Sequence, residues 1–204
     1  MRHDPERFVT FVLGTFMFAY WLGLALQTAR VWKRIGRCPI PALTEGGAAN
    51  TLHAAAAWLW PVPVLSWASC PSCLRGLPRI PPLENWPVRL LGLLALCLSA
   101  AMLVTAGAEL GDSWRMGVEQ DAPVRLSRTG IYGSIRHPMY GGGWLALFGM
   151  FLLAPNLLFA MLWCAGSSLV IVLAEREDRE LEERLGDEFR DYASRTGRFF
   201  PLLR

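Results

Sequence analysis

Charge is scarce in this chain. Of its 204 residues, 18% are Asp, Glu, Lys or Arg, against about 25% in soluble globular domains. Net charge is also small, +3 at pH 7, and the basic residues form no single stripe, which excludes a free-standing nucleic-acid binder. Polar composition is far too low for intrinsic disorder. Histidine is limited to His3, His53 and His137, and the five cysteines (38, 70, 73, 97 and 164) include one C-P-S-C pair, Cys70 and Cys73. No second C-x-x-C or H-x-x-x-H accompanies that pair, so no four-ligand zinc set can be assembled and no metal site is read. The pair reads as two loop cysteines or as a redox dithiol on an oxidising side of a membrane. His3 and His53 read as incidental.

What is abundant is apolar sequence: 53% hydrophobic residues, with nine Trp and ten Phe. A helix needs about 20 apolar residues to cross a hydrocarbon layer of roughly 30 Å. Phe8 to Ala29 is such a run, closed by Arg30, Lys33, Arg34 and Arg37. No small-residue cleavage site follows it, so it reads as an uncleaved span. Thr51 to Ser69 is a second candidate, interrupted by Pro61 and Pro63, and Val88 to Ala108 a third. From Met139 to Ala174 there are 36 residues without a charge, too many for one crossing. Pro155-Asn156 near the centre divides them into a helical hairpin. The expected fold is therefore an all-α membrane protein with about five transmembrane helices, ending in that hairpin and an amphipathic cytoplasmic helix.

Five crossings with the amino terminus outside put fifteen Lys and Arg on the inner side and five on the outer, which satisfies the positive-inside rule. The hairpin then returns the chain to its starting side, so segments 109–137 and 175–204 face the same, cytoplasmic compartment. The expected division is residues 1–108 as an N-terminal membrane part and 109–204 as a core carrying the chemistry. In the tail, Leu181, Leu185, Phe189 and Tyr192 recur at spacings of four, four and three, giving one apolar face to a helix from Glu175 to Arg195. Gly197 and Pro201 end it.

One stretch stands apart. Arg136-His137 lies before an apolar helix, and Pro138 suits its first position. A helix start bearing Arg and His can hold an anion with its free N–H groups; the same residues read equally as a snorkelling basic flank. Gly141 to Gly143 let another helix or a ligand come close. Glu177 and Asp178, past the last apolar run, can favour the helix dipole or bind the amino group or ribose hydroxyls of a zwitterionic nucleoside.

The order T-G-I-Y (129–132), R-H-P-M-Y (136–140), a charge-free hairpin, then E-D-R-E-L (177–181), L-G-D-E-F (185–189), Tyr192 and R-F-F-P (198–201) resembles the isoprenylcysteine carboxyl methyltransferase family and its phospholipid methyltransferase relatives. The resemblance covers about Leu110 to Pro201. It implies S-adenosylmethionine as cofactor, held on the cytoplasmic side by Val124, Arg125, Leu126 and Ser127, by Tyr132 and Arg136, by His137, Pro138, Met139 and Tyr140, and by Glu177. Val124 stands where the family has a histidine. Leu173 stands where its carboxyl methyltransferases have an arginine that orients the substrate carboxylate, a clamp that this chain lacks. The implied reaction moves a methyl group to a lipophilic small-molecule or lipidated acceptor: an isoprenylcysteine-like carboxylate, a lipid amine or a thiol. Glu177, Tyr140 and His137 are the catalytic candidates for deprotonating an amine or thiol. The expected partners are membrane lipids and no nucleic acid. A sterol-reductase-type enzyme using a nicotinamide cofactor and a non-catalytic membrane scaffold are the alternatives.

Overall fold

A computed structural model describes residues 5–41, 48–59, 77–116 and 126–202. Six α-helices are present there: α1 Pro5–Ile35, α2 Ala48–Leu59, α3 Trp86–Leu110, α4 Pro138–Leu153, α5 Leu157–Leu185 and α6 Asp187–Arg195. Short 3-10 turns occupy Pro81–Leu83, Gly111–Ser113 and Gly130–Gly133. There is no strand among the described residues, so the chain is an all-α membrane protein.

Local chemistry explains most boundaries. Gly36, with φ +73°, stops α1 after Lys33 and Arg34, where cations favour the helix dipole. Asn85 caps α3 by accepting from the Val88 N–H at 3.0 Å. Asn156 caps α5 by accepting from Phe159 N–H at 3.1 Å, so the expected hairpin turns at Pro155-Asn156. Backbone bonds from Ile80 N to Pro155 O and from Leu157 N to Pro78 O, both 2.9 Å, tie that turn to the segment before α3.

Among the described residues, three helices are long and apolar enough to cross a membrane: Glu6–Ile35, Trp86–Ser113 and Leu157–Leu185. Phe11, Phe18, Leu90, Leu94 and Val104 are exposed on α1 and α3, as lipid-facing positions should be. The five-crossing count is not reached on these residues. Helix α4 has 16 residues, about 24 Å at 1.5 Å each, and the second candidate span continues beyond α2 into residues outside those described. The core gathers Val9, Leu13 and Met17 of α1, Leu96 of α3, Ala146 and Met150 to Leu153 of α4, Ala154 just after it, and Phe159 of α5.

Helices α3 and α4 approach closely because two glycines face each other. A Cβ on Gly92 would lie 2.9 Å from Gly149 O, and one on Gly149 would lie 2.8 Å from Gly92 O. Buried Ser99 donates to Gly142 O at 2.7 Å in the same seam. Gly141 and Gly142, expected to admit a helix or a ligand, admit α3 (Met102 and Leu103) and the Phe199 backbone of the tail.

The tail differs from the single helix 175–195 expected. Helix α5 runs unbroken from the apolar hairpin through Glu175 to Leu185. Gly186, at φ +55°, breaks the chain and its N–H closes onto Glu182 O at 2.8 Å. Helix α6 then turns back, burying Phe189 and Tyr192. Leu181 and Leu185 therefore lie on a different helix from Phe189 and Tyr192.

Candidate functional site

The site is built where the segment before α4 meets the segment after α6. Ser134 O accepts from Gly197 N at 3.0 Å, Arg136 N donates to Gly197 O at 2.8 Å, and His137 N donates to Arg198 O at 2.9 Å. Buried backbone groups must find such partners, and here each segment supplies the other's. Helix α6 completes the closure: the Tyr192 hydroxyl donates to Tyr132 O at 2.7 Å, and the Arg128 guanidinium lies 5.9 Å from the Tyr192 ring centre. Both oxygens of Glu109, at the end of α3, accept from Ile131 N–H at 2.9–3.0 Å and so fix the 130–133 turn.

Within this frame sits a charged cluster. His137 is buried, with 3% of its side chain exposed, and its Nε2 lies 2.7 Å from Asp178 Oδ1. A carboxylate only accepts, so Nε2–H donates. Arg198 Nε donates to the other oxygen, Asp178 Oδ2, at 3.1 Å, and Arg136 Nε lies 3.6 Å from Asp178 Oδ1. Asp178 projects from the charged continuation of α5, beyond the apolar run that ends at Ala174. Burial pushes its carboxyl up, but the His137 hydrogen bond and the charges of His137, Arg136 and Arg198 outweigh it and hold the group below its ordinary value. Burial, with Glu177, Tyr192 and Glu109 nearby, pushes the Tyr132 phenol up, so it stays a neutral hydroxyl.

Adjacent Glu177 has the opposite character. Its side chain is 46% exposed, and Oε2 lies 3.7 Å from His137 Nδ1. It also meets the Tyr140 hydroxyl, which lies 3.0 Å from His53 Nε2. The tilted His137 and Tyr140 rings are 5.5 Å apart at their centres.

The structure thus gathers His137, Tyr140 and Glu177 around one point, with Pro138 fully buried at the first position of α4 and Met139 half-buried beside it. Leu126 and Ser127 are half-buried; Val124 and Arg125 lie outside the described residues, as do Cys70, Cys73 and His3. Arg136 is turned elsewhere than expected. Its guanidinium donates to Ala193 O at 2.8 Å and to Thr196 O, closing the end of α6, where a cation suits the dipole.

Asp178, read beside Glu177 as a dipole or ligand acid, holds His137. Three contributors escaped the sequence reading. Arg198 lies beyond the last helix. Glu109 shows only as an acid before a Gly-rich turn. His53, read as incidental, belongs to the site through a contact between helices far apart in sequence.

Residues 88–188 match the family model described as phospholipid methyltransferase. The match takes in α3, ahead of the expected core boundary at 109. Among curated proteins the chain is similar to the nickel-cobalt-cadmium resistance protein NccN of Alcaligenes xylosoxydans xylosoxydans, 29% identical over 110 residues. That stretch is 53% of this chain and 52% of the relative, so the chain spans about half the length of the curated relative it matches.

Proposed function

Since residues 88–188 make this chain a member of the phospholipid methyltransferase family, we propose that it is a membrane methyltransferase that uses S-adenosylmethionine on its cytoplasmic face and methylates a lipophilic acceptor. One observation carries the reading: the segment before the hairpin and the tail after it are cross-bonded around His137 and Asp178, leaving the Glu177 carboxylate half-exposed at their junction.

The donor set suits the cofactor. An exposed carboxylate beside neutral hydroxyls answers an ammonium group or ribose hydroxyls. Glu177, Tyr132, Leu126 and Ser127, with Val124 and Arg125, would hold the nucleoside, beside His137 to Tyr140. When bound, the cofactor supplies an activated methyl carbon, and alignment with the acceptor provides most of the acceleration. His137 keeps its ring fixed through Asp178. Leu173 and Ala174 are buried and apolar, so the position of the missing arginine offers no group to a carboxylate. This favours an amine or thiol acceptor, reached through the lipid, over a prenylcysteine carboxylate. Residues 109–204 form the working core, with α4 packed on α3.

Calorimetry of detergent-purified protein against S-adenosylhomocysteine and against reduced nicotinamide dinucleotide tests the reading. Binding of the first alone is expected. Binding of the second alone favours a reductase, and binding of neither a scaffold. Glu177→Ala should weaken S-adenosylhomocysteine binding at least tenfold, the size of about 1.4 kcal/mol, while helicity stays unchanged.

A further inference from the structure

His53 lies outside the matched family segment, on a helix whose other described side chains include no charge. Yet α2 packs on α5 and brings this imidazole to the Tyr140 hydroxyl at 3.0 Å, with the two ring centres 6.4 Å apart. Of the candidates for taking a proton from an acceptor, His137 is committed: its Nε2 donates to Asp178, its backbone N–H to Arg198 O, and its ring is 3% exposed. Glu177 faces the Tyr140 hydroxyl from α5. Tyr140 thus stands between a carboxylate and a second imidazole, and its single hydrogen can go to either; turned to His53 Nε2, with that ring protonated at Nδ1, it leaves the phenol lone pairs to accept.

We propose that His53 serves as the positioning residue of this site, receiving through Tyr140 the proton that an amine or thiol acceptor gives up. The step balances without a further reagent. The proton of an ammonium-form amine or of a thiol passes to the Tyr140 oxygen while the Tyr140 hydrogen moves to the bare Nε2 of His53 in its Nδ1–H tautomer. The acceptor is left with a free electron pair, Tyr140 is unchanged, and the half-buried His53 becomes an imidazolium that returns its proton to water. Among the described residues, the groups facing His53 in this step include Tyr140 of α4 and, across Tyr140, Glu177 of α5, with His137 beyond. The inference rests on the methyltransferase reading, and it gives the N-terminal membrane part a role in the chemistry.

The test uses the full chain in micelles with three probes of one chain length, dodecylamine, dodecanethiol and dodecanoate, and a labelled methyl donor. His53→Gln can still hydrogen-bond Tyr140 but cannot hold the proton. It should bind S-adenosylhomocysteine within twofold of wild type, lose about a hundredfold in transfer to amine or thiol at pH 7, and regain much of that loss by pH 9. A readout independent of turnover is the 15N imidazole spectrum: the resonance absent from His53→Gln should move in Tyr140→Phe. Equal transfer by His53→Gln and wild type, a loss that is the same at every pH, or an unmoved resonance overturns the inference and leaves the methyltransferase reading standing. Transfer to dodecanoate alone, or to none of the probes, also overturns it. Failure of wild type to bind S-adenosylhomocysteine overturns both.

Discussion

Asp178→Ala should undock the tail from the loop without unfolding the membrane helices. The carboxylate accepts from His137 Nε2 at 2.7 Å and from Arg198 Nε at 3.1 Å, with Arg136 Nε 3.6 Å away. His137 cannot rehydrate at 3% exposure, so losing its charged partner costs about 2 kcal/mol, within the range for hydrogen bonds to charged groups. Arg198 is 37% exposed, and its share is screened to about 1 kcal/mol. A total of about 3 kcal/mol is about a hundredfold in the opening equilibrium. Amide hydrogen exchange in micelles reads this directly, because Arg136, His137 and Gly197 N–H groups bond across the loop–tail junction. Their protection should fall about a hundredfold relative to α4 core amides, while Glu177→Ala leaves it unchanged. Equal protection in Asp178→Ala and wild type would refute the reasoning. A pH dependence follows with a definite sign. The folded carboxyl lies below its ordinary 3.8, so its contribution is full above that value and is lost as pH falls through the lower folded value. Wild-type docking should therefore loosen only in strong acid, and Asp178→Ala should lack that step.

Other expectations rest on separate features. Gly149→Ala places a Cβ 2.8 Å from Gly92 O and 3.0 Å from Leu96; prying α3 from α4 should cost about 1–3 kcal/mol and lower the thermal midpoint in micelles by several degrees. Gly186→Ala meets no atom within 4 Å but keeps φ +55°, so it should cost about 1–2 kcal/mol through the backbone alone, seen as faster proteolytic nicking between α5 and α6. Tyr192→Phe leaves the buried Tyr132 carbonyl without its 2.7 Å donor, and about 1–2 kcal/mol of α6 docking should be lost by the same exchange measurement. A cysteine at Asp187, whose side chain is 98% exposed, in an otherwise cysteine-free chain should react with an impermeant maleimide only after cells are opened; labelling of intact cells would reverse the orientation.

Signals confined to one turn of chain were legible. Pro138, Asn156 and the run of charges after Ala29 each mark an end through their own backbone or solvation chemistry, and the structure has helix ends at or near them. The break at Gly186 was hidden because Leu181, Leu185, Phe189 and Tyr192 keep helical spacing across it, and spacing reports periodicity, not continuity. The division of roles between Glu177 and Asp178 was hidden for a similar reason. Neighbouring residues on a helix point about 100° apart, and only the packing of α5 on α4 selects which acid turns inward. His53 and Arg198 meet the site through contacts spanning 87 and 20 residues, which no local pattern encodes.

The continuity of α5 has a mechanical consequence. Had the tail been a separate helix resting on the surface, Glu177 and Asp178 would move independently of the membrane part. Instead they sit on the unbroken extension of a helix whose apolar half is long enough to cross a bilayer, so the depth of that helix would set theirs. Its partner α4 spans only about 24 Å, short of the roughly 30 Å hydrocarbon layer. With the Pro155-Asn156 turn tied to residues 78–80, that shortfall would fall at the opposite end, where Pro138 opens the helix. His137 and Tyr140 would thereby be drawn toward the acyl chains, while Glu177 is half-exposed. On the proposed methyltransferase function, a polar cofactor entering from water and a lipophilic acceptor entering from lipid would meet there, with neither crossing the other's medium.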